Sequence, residues 1–158
     1  MTDGHDRMAT GERIRREVLG SEHVDRSLAQ VSDFSRPVQN LVTEVAWGEV
    51  WSRPGLDRRT RSLLNLVMLT ALNRQTEFAV HVRGAIRNGV SEQEIQEALL
   101  QTAVYCGAPA ALEAFRTAER VLKELAESDG AGSTAAGSTA AGSTAAGSTA
   151  AGSTAVGP

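Results

Sequence analysis

The chain has 158 residues and a net charge of −3, too acidic for the basic footprint that a nucleic-acid partner requires. No apolar run approaches the roughly 18 residues of a membrane span, and the polar start from Met1 to Arg16 lacks the apolar core of a secretory signal. A lone cysteine, Cys106, forms no intrachain disulfide and fits a reducing cytoplasm, the expected location.

Residues 7–19 show a weakly amphipathic helical pattern closed by Gly20, and Ser21 stands where it can cap a second helix bearing His23, Val24, Leu28 and Val31. Neither His5 nor His23 has an evident partner. Asp33 to Pro37 is a break, with Pro37 suited to the first turn of the next helix. That helix carries Leu41, Val42, Val45, Trp47, Val50 and Trp51 and ends at Arg53-Pro54-Gly55. Two indoles four residues apart make one aromatic surface, read first as core and second as the wall of a pocket.

Asp57 has the form of a cap on a long helix, Arg58 to Leu72, whose second half is apolar nearly all round. Such a helix sits at the centre of a bundle or at a subunit contact. Arg58, Arg59 and Arg61 lie in its first turn, where the helix dipole disfavours cations. Acidic partners, an anionic ligand or plain solvation would each account for them.

Arg74 to Gly89 reads as one helix, with Phe78, Val82, Ala85 and Ile86 at three- and four-residue steps and Asn88-Gly89 as a left-handed stop. Glu77 and His81, four apart, leave the same side of it, and Arg74 extends that line by three residues. Gly84-Ala85 would let a backbone or a ligand come close. Spacing alone leaves a solvated surface pair and a chemical pair both open. Ser91 to Glu94 has the form of a capping box ahead of Ile95 to Tyr105, and Pro109 opens a last helix to Ala126. Cys106 is expected as a small buried apolar residue.

Beyond Gly130 the sequence is Ala-Gly-Ser-Thr-Ala five times over, then Val-Gly-Pro. Residues 130–158 carry no charge and almost no large apolar group, so a disordered tail or linker is expected there. Residues 1–129 are expected as a single domain, all-α, a bundle of about six to seven helices. There is no metal-ligand cluster, no dinucleotide or phosphate loop and no nucleophile elbow. An enzyme with these residues would work without a cofactor.

Four blocks then acquire a common meaning: Arg13 to Arg26, Glu44 to Leu64 with Trp47-Gly-Glu-Val-Trp51, His81-Val-Arg-Gly-Ala-Ile-Arg-Asn-Gly89, and Val104 to Ala111. In order and spacing they resemble the carboxymuconolactone decarboxylase family, over about residues 10 to 126. The resemblance implies an alkylhydroperoxidase-like helical fold that assembles as a homo-oligomer, trimer or hexamer. It implies decarboxylation of 4-carboxymuconolactone to 3-oxoadipate enol-lactone in the protocatechuate branch of the β-ketoadipate pathway. The wider superfamily carries a Cys-x-x-Cys motif followed by His; laid on that pattern, the cysteine positions here are Arg74 and Glu77, and the histidine is His81. Thiol redox chemistry is lost with the cysteines. The rival expectations are a thiol-type antioxidant protein and a non-catalytic oligomeric homologue.

The expected chemistry needs two carboxylates held, a dienolate oxygen stabilised and one proton delivered to carbon. His81 and Glu77 are the expected catalytic pair, with Glu77 setting the tautomer of His81 or relaying the proton. Arg74, Arg58 and Arg83 are the expected carboxylate clamps. Trp47 and Trp51 are expected to give the departing carboxylate a poorly solvated place.

Overall fold

The computed structural model describes residues 4–137, with side chains from residue 7 to residue 128. They form seven α-helices and one π-helical segment, and no strand occurs among the described residues. The helices are α1 (Gly4–Leu19), α2 (Ser21–Ala29), α3 (Arg36–Leu41), α4 (Arg58–Ala71), α5 (Gln75–Arg87), α6 (Glu92–Cys106) and α7 (Ala108–Gly137). The π-helical segment, Val42–Val50, continues α3 directly. The described residues up to Leu125 group into one compact unit that contains the whole site described below. No described helix is long and apolar enough to cross a membrane.

Local chemistry sets most boundaries. Asp57 accepts a hydrogen bond from the Thr60 amide at 2.7 Å and starts α4. Ser91 and Glu94 form a reciprocal capping box ahead of α6. Gly89 adopts φ +82° after α5, and Gly107 adopts φ +105° between α6 and α7. Gly20, not Ser21, occupies the N-cap of α2, and its φ of +91° lets the chain turn directly from α1.

Two apolar clusters share α5. Phe78, Val82 and Ala85 pack with Leu66, Leu99 and Val121 on one side. Val80 packs on the other against Ile14, Val18, Val24 and the two tryptophans. Gly84 meets the backbone carbonyl of Val18, so its missing side chain admits α1 and no ligand. Gly11 and Gly48 face, respectively, the carbonyls of Thr43 and Arg7, so α1 and the π-helical segment cross at backbone contact.

Two expectations change and one narrows. α4 is not the centre of the bundle but keeps the subunit-contact alternative: Leu66 is buried, whereas Leu64, Met68 and the C-cap residue Leu72 stay on the surface, because only α5 and α6 cover this helix extensively. Cys106 is exposed rather than buried, since it lies in the last turn of α6, where Val104 and Tyr105 are each 80% exposed as well. The last helix runs to Gly137, past residue 130 where the tail was expected to begin. Alanine, the best helix former, recurs through those residues. The rest of the expected 130–158 tail lies outside the described residues.

Candidate active site

A cleft of about 500 Å³ opens between α1, α2, the π-helical segment, α4 and α5. Its apolar lining comes from Leu19, Val42, Trp47, Val50, Trp51 and Val80, and its polar groups are Arg15, His23, Asn65, Thr76, Glu77 and His81. A second cleft, about 430 Å³ between α6 and α7, has Glu92 and Glu119 but no basic side chain in its lining. Only the first combines an apolar wall with acid, base and cation, the usual make-up of a small-molecule site.

His81 sits at its centre. The imidazole lies nearly parallel to the Trp47 indole, at 6.2 Å between ring centroids and 6°, and 6.5 Å from that of Trp51. The indoles themselves are 4.9 Å apart and both buried. Core packing and pocket lining are thus the same surface. The wide turn of the π-helical segment brings this about: the Trp51 amide donates to the Ala46 carbonyl, five residues back. Such turns concentrate at functional sites.

Burial, and then the positive field of neighbouring His23, push His81 down to about 4, with Glu77 pulling weakly the other way. At neutral pH the ring is uncharged. The Asn65 amide nitrogen lies 3.4 Å from Nδ1. An amide NH₂ only donates, so Nδ1 accepts and the ring proton resides on Nε2. Glu77 lines the cleft from an exposed position one helical turn away. Among the described residues the side-chain contact to the His81 ring nitrogen comes from Asn65, and Glu77 makes no hydrogen bond to the ring.

The expected clamps lie elsewhere. Arg74 is the exposed N-cap residue of α5. Arg58 is ion-paired with Glu17 of α1, and Arg83 with Glu124 of α7. None of the three lines the cleft. Each anionic partner is more than forty residues away in sequence or absent, so spacing along one helix could not reveal it. The neighbouring Arg59 likewise pairs with Glu94. Acidic partners thus hold two of the first-turn cations of α4.

The cation that does line the cleft is Arg15. It is 8% exposed, and burial, with Arg16 nearby, lowers its proton affinity. Its Nη2 donates to the Ser27 hydroxyl at 3.2 Å. Its Nε and Nη1 are buried and have no hydrogen-bond partner among the described residues. His23, also held below its usual range by burial and by Arg15, joins it from α2. Sequence reasoning missed both. The available signal was the position of Arg15 one residue from Ile14 on an otherwise apolar flank of α1. Among the described residues no group of three or more His, Cys, Asp or Glu could hold a metal ion.

Comparison with known proteins supplies the context. Residues 36–120 match the model of the carboxymuconolactone decarboxylase family. The chain is 47% identical over 117 residues to nitrosuccinic acid decarboxylase of Metarhizium robertsii, covering 74% of this chain and 82% of that protein. It is 46% identical over 119 residues to 4-carboxymuconolactone decarboxylase of Acinetobacter baylyi, covering 75% and 89%. A 4-carboxymuconolactone decarboxylase of Pseudomonas putida is 40% identical over 47 residues, covering 30% of this chain and 98% of that sequence.

Proposed function

Because the chain belongs to the carboxymuconolactone decarboxylase family, we propose that it is a cofactor-independent carboxy-lyase. Its substrate is 4-carboxymuconolactone, converted to 3-oxoadipate enol-lactone in the protocatechuate branch of the β-ketoadipate pathway. The observation that carries this reading is the uncharged His81 against two indoles in an apolar cleft that also holds an arginine and a carboxylate.

The chemistry balances without an outside electron acceptor. The bond between the quaternary ring carbon and its carboxylate breaks, and CO₂ leaves. The electron pair runs through the ring double bond onto the lactone carbonyl, giving a dienolate. One proton then joins the ring carbon next to that carbonyl. The Nε2–H of His81 donates to the dienolate oxygen, a role that suits a neutral imidazole because it stabilises charge only as charge develops. Glu77, at the mouth, relays the proton from solvent to carbon. Trp47 and Trp51 keep water from the departing carboxylate, which raises its ground-state energy relative to neutral CO₂.

A second substrate reading has its own support, since a relative named for nitrosuccinic acid is as similar as one named for the lactone. The two acids share a skeleton. Each is a succinic acid whose C2 bears the departing carboxylate and an electron acceptor: a nitro group in one, an unsaturated lactone in the other. The same device therefore serves both.

The proposal includes self-association to a homo-oligomer, trimer or hexamer. Its support is the exposed apolar side chains of Leu64 and Met68 on α4 and Leu72 at its C-cap, with Val104 and Tyr105 on α6, the kind of surface that marks a contact between subunits. The test of the activity follows the ultraviolet absorbance of freshly prepared 4-carboxymuconolactone, with CO₂ release measured in parallel and nitrosuccinate as the second substrate. Turnover of the lactone with one CO₂ per molecule is expected. Silence with both acids overturns the carboxy-lyase reading.

A further inference from the structure

The chain neighbours of Arg15 on α1, and Arg58 across from them on α4, each find an anion. Arg13 reaches Glu17 at 3.0 Å, Arg16 reaches Asp25, and Arg58 reaches Glu17. Arg15 is more buried than any of them, yet it reaches only a neutral hydroxyl and leaves two of its nitrogens, Nε and Nη1, without a partner. A cation so deeply removed from water is unfavourable without a counter-charge, and the charge of Arg16 adds to that. Within the cleft, His23 and His81 bring no negative charge, and among the described residues no ion pair joins Glu77 to Arg15. The guanidinium therefore fits an incoming anion, with the fork geometry that suits a carboxylate.

Building on the carboxy-lyase reading, we infer that Arg15 binds the retained carboxylate of the substrate, and that Ser27 positions Arg15 for it. The site thereby selects succinate-type diacids. The choice between the two carboxylates follows from charge. The departing group must become neutral CO₂, so a buried cation upon it would stabilise the ground state more than the transition state and slow the reaction. The carboxymethyl carboxylate keeps its charge throughout. Held on Arg15, it directs the other carboxylate towards the apolar wall of Trp47 and Trp51, where loss of charge is favoured. Arg15 stands on α1 and Ser27 on α2, so this selectivity belongs to the α1–α2 hairpin.

The test compares each diacid with its monomethyl ester at the carboxymethyl group, using the full chain and the variants Arg15→Gln and Arg15→Lys. Wild type should prefer the diacid by about 10- to 100-fold in kcat/KM, the range of a hydrogen-bonded charge. In Arg15→Gln that preference should collapse, mainly through KM, while turnover of the ester changes less than about threefold. Arg15→Lys should keep part of the preference. An equal fall on acid and ester means a merely structural arginine and overturns the inference, as does a wild type indifferent to the ester. Should neither acid react, calorimetry with succinate, which has no acceptor and cannot react, still decides. Tighter binding of succinate than of monomethyl succinate in wild type alone supports the assignment; equal binding in wild type and Arg15→Gln refutes it.

Discussion

At the scale of single residues, the imidazole of His81 dominates. Its protonation midpoint should lie near 4 rather than the usual 6.5, read from the ring proton resonance across a pH series. The sign for stability follows. Above about 6.5 the ring is neutral folded and unfolded alike. As pH falls from there to about 4, the unfolded chain takes up a proton that the folded chain refuses, and stability drops by on the order of 2 kcal/mol after allowance for partial exposure. Denaturant titrations of His81→Gln should lack that share of the slope. His81→Ala should lose about a hundredfold or more in kcat, and near-normal turnover would remove the ring from the chemistry. Asn65→Leu, which removes the donor to Nδ1, should cost less, about tenfold, with KM nearly unchanged. Glu77 and His81 were legible as a pair because helical spacing alone puts them on one side of α5. Arg15 was not, because its burial arises from α2 and the π-helical segment folding over α1. Arg58 and Arg83 point the same way: what an arginine does depends on which distant glutamate it finds, Glu17 or Glu124.

At the scale of elements, short-range chemistry was legible and crossings were not. The Asp57 cap, the Ser91–Glu94 box and the left-handed Gly89 are all written within four residues of sequence. Asp57→Ala should accordingly cost about 1 kcal/mol of stability and leave kcat alone, as melting and turnover of the same sample will tell. The contact of α1 with the π-helical segment is different. Gly11 and Gly48 look like helix weakeners in sequence, yet each is where a side chain would strike the other element's backbone. Gly48→Ala should destabilise by roughly 1–3 kcal/mol or more, and should also impair catalysis, since Trp47 is the adjoining residue. A variant as stable and active as wild type would mean that the two elements do not pack this tightly.

At the scale of the whole molecule, the all-helical fold was legible because no stretch alternates at period two, and the resemblance in four blocks pointed to the same architecture. The surface left by α4 and α6 concerns assembly. Met68→Glu combined with Val104→Asp should shift sedimentation towards a smaller species, and an unchanged sedimentation coefficient would move the interface elsewhere. The π-helical segment has a consequence of its own at this scale. An α-helix advances about 100° per residue, so the wider winding of Val42–Val50 acts as a phase offset inserted into the chain. Removing one residue there, for instance the exposed Val45, would leave composition and hydrophobicity nearly intact. It would also swing the indoles and the glycine crossing out of step with each other. Chain length between Leu41 and Trp51 is thus itself a determinant of the aromatic wall, one that substitution scanning would pass over and single-residue deletion would expose.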